Sequence, residues 1–248
     1  MRYFFEISYN GKNYSGWQSQ LNALGVQAVV EEALSKIFRA ELKIQGSGRT
    51  DTGVHCECQY FHVDIEKEFD FAQLTHRLNV FLPKDICIHG IRKVKADMSA
   101  RHHALARVYQ YRITTVKNPF LDGLAWHYFK KVDLQQMNEA AKLLLGEQDF
   151  ECFSKVKTDV NHFLCDITIA EWKKKGSQLV FTISANRFLR GMVRAIVGTL
   201  LDVGTGKTSM KEFQSIIHSK DRKKAGANVP PYGLYLTNVK YPTHIFIR

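Results

Sequence analysis

Apolar residues recur along this chain at two different spacings, and the switches between them fall near turn-forming residues, which restricts the fold to helices and strands in short succession. Tyr3, Phe5, Ile7 and Tyr9 alternate with Phe4, Glu6 and Ser8 up to Asn10-Gly11, the pattern of a strand running into a tight turn. Between Val26 and Phe38 the apolar positions Val26, Val29, Val30, Ala33, Leu34, Ile37 and Phe38 repeat at helical spacing instead. Gln59 to Ile65 reads as another strand, and Phe71 to Phe81 as a helix that stops ahead of Pro83. Strand character returns at Val108 to Ile113 and helical spacing at Leu134 to Leu145, ended by Gly146. Ile167 to Trp172 and Leu179 to Ala185 form a hairpin around Lys175-Gly176-Ser177. Phe188 to Val203 reads as a largely buried helix with Arg187, Arg190 and Arg194 along one narrow edge.

Strand, helix, strand and strand thus recur in both halves of the chain. The reading is an α+β fold with mostly antiparallel sheets flanked by helices, in two similar halves around a central basic cleft. The repeat lies in element order and not in residue identity. With 248 residues the chain can bury a substantial core, and no low-complexity linker interrupts it. The expected division is 1–105 and 106–248, packed as one unit.

Charge narrows the partners. Lys and Arg number 35 against 24 Asp and Glu, a formal net charge of +11, so the surface field attracts polyanions, and nucleic acid is the leading class. Basic runs at Arg92-Lys93-Val94-Lys95, Lys173-Lys174-Lys175 and Lys220 to Lys224 are spread over both halves; only their sum points to a groove for RNA. Five Cys, irregularly spaced and without a signal-peptide pattern, point to a cytoplasmic protein with reduced thiols. The most apolar stretch, 188–203, contains Arg190, Arg194 and Asp202 and falls short of the roughly 20 apolar residues that span a bilayer, so no membrane partner is expected. His55, Cys56, Cys58 and His62 are the residues that could bind zinc, but their spacing is wrong for a structural site and no metal is expected.

The segment richest in chemistry is Gly46-Ser-Gly-Arg-Thr-Asp-Thr-Gly-Val-His55. Its glycines permit unusual backbone angles and close approach of a ligand, and Arg49 offers a planar fork for phosphate or a base edge. Three readings compete. A nucleotide-binding loop lacks the Lys and Ser or Thr of a P-loop and the dinucleotide spacing. A tight turn would use Asp51 to cap neighbouring amides. In the third, Asp51 is a reactive carboxylate, ionised at neutral pH as aspartates ordinarily are.

This decapeptide resembles the signature of the tRNA pseudouridine synthase A (TruA) family, and further matches follow in the family's order. Tyr9-Asn-Gly-Lys-Asn-Tyr-Ser-Gly-Trp-Gln-Ser-Gln20 is similar to the N-terminal segment, and Leu78-Asn79, Leu82-Pro83 and Asp85-Ile86 to its L-N-x-x-L-P-x-D-I pattern. Arg107-Val-Tyr-Gln-Tyr111 fits R-x-Y-x-Y, Gly146 with Asp149, Phe150 and Phe153 fits a later element, and Phe188 to Gly198 resembles the segment near the end of the fold. Departures are Cys56 for the usual Ala, Met98 where Phe is common, and Arg190 where His or Asn is frequent.

The resemblance implies an isomerase that converts uridine to pseudouridine at positions 38 to 40 of the tRNA anticodon stem-loop, working as a homodimer that holds one tRNA across both subunits. It implies Asp51 as the catalytic aspartate, Tyr109 as the ring that stacks on the target base, Arg194 as the basic partner of the carboxylate and Arg49 as a holder of the extruded nucleotide. The reaction breaks the C1′–N1 bond and joins C1′ to C5 of the same base, so no atom or electron is exchanged and no cofactor is expected. A paired base must be flipped out to be reached. The alternative is an RNA-binding or RNA-folding protein without catalysis, which needs the charge and the aromatic residues but not Asp51.

Overall fold

The computed structural model describes residues 1–156 and 160–247. In chain order the elements run β1 (Arg2–Tyr9), α1 (Val26–Phe38), β2 (Gln45–Gly46), β3 (His55–Asp64), α2 (Phe71–Phe81), β4 (Ile86–Val94) and β5 (Ala106–Thr114). Then come β6 (Trp126–His127), α3 (Leu134–Lys142), β7 (Gly146–Asp149), β8 (Leu164–Lys175), β9 (Gln178–Ala185), α4 (Met192–Gly204), α5 (Met210–Ser219) and β10 (Leu234–Lys240). They fall into two units, Met1–Leu105 with Tyr235–Arg248, and Ala106–Leu234. Chain order assigns the last segment to the second half, but Tyr235 and Leu236 pair in parallel with His55 and Cys56 of β3 and return it to the first unit.

The sheet of the first unit has the order β4-β1-β3-β10, with β1 antiparallel to both β3 and β4. As the central strand, β1 is buried on both faces, so strict alternation understates its burial. Phe5 stacks on Phe61 with ring centroids 5.0 Å apart, while Phe4 on the opposite face packs with Val94, Met98, Ala100 and Ile245. The family departure at Met98 is thereby a core residue. Val26, Val30, Ala33 and Leu34 form the buried stripe of α1, and Leu74 and Leu78 that of α2. Asp70 caps α2 by accepting the Gln73 N–H at 2.7 Å.

In the second unit the order is β5-β9-β8-β7, all antiparallel, with β6 added in parallel beside β5. The β8–β9 hairpin turns at Gly176 and Ser177, where Gly176 takes a φ of +58°, open to glycine at little cost. α3 packs on β8, and α3, α4 and α5 pack on one another. Gly198 lets α4 meet the following loop, since a Cβ there would lie 1.9 Å from the Ala227 carbonyl oxygen.

Each unit also closes a strand edge with one asparagine. Asn79 of α2 donates to the Ile88 carbonyl at 2.8 Å and accepts the Ile88 N–H at 2.7 Å on β4. Asn138 of α3 does the same for Trp172 of β8, at 3.2 and 2.7 Å.

The sequence patterns place α1, α2, β5 and the β8–β9 hairpin within a few residues of their observed bounds, whereas β4, α5 and β10 are not anticipated. The expected helix over 188–203 begins only at Met192, because Gly191 sits at its N-cap with a left-handed φ of +73°. Arg187 and Arg190 therefore precede the helix and do not share an edge with Arg194. No helix among the described residues is long and apolar enough to cross a membrane.

Candidate active site

The Gly-rich segment of the first unit joins β2 to β3. The Asp51 carbonyl accepts the Val54 N–H at 3.1 Å, closing a turn that contains Gly53 at a φ of +75°. The turn anticipated for this loop is present, and the Asp51 side chain on it is half-buried while Arg49 is exposed. Gln59 braces the loop from β3 by donating to the Gly48 carbonyl at 3.4 Å.

His55 ends the loop and begins β3. Buried at 2% exposure, its Nδ1 accepts the Gly11 N–H at 3.1 Å, which places the proton of the neutral ring on Nε2. The ring stacks on Tyr235 at 4.7 Å and 25°, across the parallel pair that brings β10 back to β3. His62, further along, accepts the Ala100 N–H through Nδ1 at 3.1 Å. Burial pushes the Cys56 thiol well above its ordinary range and raises Cys58 as well. Among the described residues no three His, Cys, Asp or Glu side chains are grouped to hold a metal ion.

In the second unit Tyr109 lies on β5 opposite Ile183 of β9, 9% exposed, with the edge of its ring system set against Phe188 at 5.1 Å and 86°. Apolar spacing places Phe188 in a helical core; it lies instead in the loop before α4, with its ring packed against Tyr109. Two residues on, Tyr111 is fully buried and donates to the Pro230 carbonyl at 2.9 Å. Burial raises its phenol pKa, opposed by the nearby charge of Arg194.

Arg194 stands in the first turn of α4 and, with Asp202, is one of two charged side chains on it. Its Nε donates to the Val229 carbonyl at 2.7 Å, and its own carbonyl accepts the Val229 N–H at 3.3 Å. An arginine on so apolar a helix needs such partners. Arg187 instead meets His162, Nη1 to Nε2 at 3.1 Å, and the Arg190 carbonyl accepts the Lys155 N–H at 2.9 Å.

The loop that supplies Val229 is a part of this arrangement that no motif marks beyond the basic run Lys220 to Lys224 before it. Arg222 donates to the Ala225 and Gly226 carbonyls at 3.3 and 3.0 Å and to Asn228 Oδ1 at 3.0 Å. Gly226 N–H in turn reaches Thr199 Oγ1 of α4 at 2.9 Å. Ala-Gly-Ala-Asn directly after the charged run Lys220 to Lys224 is the available signal, since small residues allow backbone to seat directly on a helix.

The profile of a family described as tRNA pseudouridine synthase matches residues 7–102 and 140–242, which takes in Arg49, Asp51 and Arg194 and leaves Tyr109 outside. Three proteins named tRNA pseudouridine synthase A align over nearly the whole chain. That of Porphyromonas gingivalis is 48% identical and the match covers 99% of both chains. That of Bacteroides thetaiotaomicron is 45% identical over 99% of this chain and 92% of its own, and that of Legionella pneumophila 37% over 98% and 93%. The α+β units and the Gly-rich carboxylate loop accordingly belong to an RNA-modifying class of enzyme. The chain is a member of the tRNA pseudouridine synthase family.

Proposed function

We propose that this protein isomerises uridine to pseudouridine in the anticodon stem-loop of tRNA, with Asp51 as the attacking carboxylate. Family membership makes the chain an isomerase acting on tRNA. What carries the reading to Asp51 is that it is the one acidic side chain in the segment Gly46–His55, inside the matched region and half-buried on a glycine-supported turn.

An ionised carboxylate attacks the nucleoside, the C1′–N1 bond breaks, and the uracil turns before C5 bonds to C1′. C5 gives up its proton, N1 gains one, and the carboxylate is released, so the product has the atoms of the substrate. The chemistry is akin to glycoside cleavage, with the base retained. Arg49, Tyr109 and Arg194 take the substrate-binding roles that the resemblance implies. A flat phenol ring held by Phe188 suits a pyrimidine face. The same resemblance supports a cytoplasmic homodimer acting on one tRNA.

The test is to incubate the purified protein with uridine-labelled tRNA and map pseudouridine by position. Asp51→Asn is expected to abolish product while tRNA binding survives, and Tyr109→Ala to lower turnover far more than affinity. Near-normal product from Asp51→Asn overturns the assignment. Release of free uracil would mark a base-excising hydrolase instead.

A further inference from the structure

Tyr9 ends β1 where its register with β3 slips. Ile7 stands opposite Gln59, but Tyr9 stands opposite Cys56 and not Glu57. Irregularities of this kind re-aim side chains and gather near working sites. The displaced Tyr9 is 4% exposed, and its hydroxyl lies 2.8 Å from Thr50 Oγ1 and 3.5 Å from Gln59 Oε1. Thr50, also buried, is the residue before Asp51.

The backbone around Asp51 is seated on the same segment. Trp17 N–H reaches the Thr50 carbonyl at 3.4 Å, and Gly53 N–H donates to the Tyr14 carbonyl at 3.2 Å. A Cβ on Gly16 would stand 2.2 Å from the Thr50 carbonyl oxygen, and one on Gly11 2.0 Å from that of Val54. Residues 9–17 thus grip the turn at Thr50, Gly53 and Val54. The side-chain component of that grip at Thr50 is the Tyr9 hydroxyl.

The geometry points to Tyr9 as a positioning residue for pseudouridine formation, holding Thr50 so that the Asp51 carboxylate is aimed at the target nucleoside. This rests on the reading of Asp51 given above. Backbone bonds and glycine contacts already keep the turn folded, so the hydroxyl sets the aim of the carboxylate and not the existence of the loop. Attack demands reacting atoms about 3–3.5 Å apart, and a misplacement of about 1 Å costs on the order of a hundredfold in rate.

Tyr9→Phe removes one oxygen from the buried pair, and Thr50→Val removes the other. Each is expected to lower single-turnover kcat by about tenfold or more, with KM for tRNA near the parent value and Tm lowered by no more than several degrees, so that the protein stays folded under assay. The double variant should be no slower than the worse single one, because both act along one path. Thr50→Ser keeps Oγ1 and should restore most of the turnover.

Full turnover in Tyr9→Phe, additive losses in the double variant, or a loss that follows the folded fraction measured by circular dichroism would each overturn the inference. Should Tyr9→Phe fail to fold, the hydroxyl is a structural element and the inference falls with it; Thr50→Val and Thr50→Ser then show whether Thr50 matters alone. A parent protein that makes no pseudouridine would defeat the functional reading itself. An active parent with a dead Asp51→Asn and a fully active Tyr9→Phe would defeat only this inference.

Discussion

Asn79 and Ile88 exchange two hydrogen bonds between a helix side chain and the backbone of an edge strand, at 2.8 and 2.7 Å. Ile88 pairs with Ile7 on its other side, so Asn79 occupies the edge where a further strand would otherwise bond. Asn138 and Trp172 repeat the device in the second unit, where β7 has ended before Trp172 is reached. Asn79→Ala and Asn138→Ala each leave a backbone N–H and carbonyl without their partner, and each should cost about 1–3 kcal/mol. Urea unfolding measures the loss, and losses below about 0.5 kcal/mol would show that water replaces the side chain.

Gly198→Ala sets two effects against each other. Alanine favours a helix interior by about 1 kcal/mol over glycine. Here the added Cβ would meet the Ala227 backbone oxygen at 1.9 Å, a contact no rotamer change relieves, and overpacking costs about 1–3 kcal/mol or more. The contact should win, lowering Tm by several degrees; a stabilised variant would contradict the seating of 225–227 on α4.

Acid should weaken the first unit through His62. Burial, with the Arg2 charge, lowers its pKa from 6.5 to about 4 in the folded chain. Between those values the unfolded chain binds a proton that the folded chain does not, so stability falls as pH drops from 6.5 toward 4 and is unaffected by this group above 6.5. The loss is at most about 3 kcal/mol. Urea midpoints at pH 7.5 and 4.5 should differ more in the parent than in His62→Gln, and equal differences would acquit the imidazole.

Binding to tRNA should weaken steeply with salt. A chain of formal charge +11 gains affinity by releasing counterions from phosphates, with a slope near −0.9 per contact on duplex nucleic acid. Filter binding from about 50 to 200 mM salt should show affinity falling tenfold or more, and a flat dependence would exclude the basic surface as the main source of attraction.

Turnover should persist undiminished in chelator with no added nucleotide, since the isomerisation exchanges neither atoms nor electrons. Inactivation by chelation would redirect attention to His55, Cys56, Cys58 and His62.

Much of the fold was legible wherever one face of an element is apolar. α1 and α2 match their patterns because Val26, Val30, Ala33 and Leu34, and Leu74 and Leu78, mark single buried stripes. β4 and β10 were missed for the opposite reason: their residues do not alternate cleanly. α5 did carry a signal, the Ser209-x-x-Glu212 capping box, and the structure forms both of its bonds.

In the candidate site, spacing exposed the Asp51 loop but nothing of its support. Tyr9, Gly11 and Gly16 act through tertiary contacts with Thr50 and Val54, some 40 residues away in sequence. The Leu78-Asn79 and Asp85 motif proves to be architectural. Asn79 closes the edge of β4, and the Asp85 carboxylate accepts from Tyr14 at 2.6 Å and Asn13 at 3.1 Å, anchoring the segment that grips the Asp51 turn. The run of three arginines misled because Gly191 interrupts the helix, and a left-handed residue leaves no mark on hydrophobic spacing.

The return of Tyr235 to pair with His55 sets a schedule for the birth of the protein. While the chain is being made, β3 and its aspartate loop leave the ribosome some 180 residues before the strand that flanks them, so His55 waits through that interval without its stacking ring. A ribosome stalled after Leu234 would therefore hold a chain whose first unit still lacks a strand, with the aspartate loop unflanked.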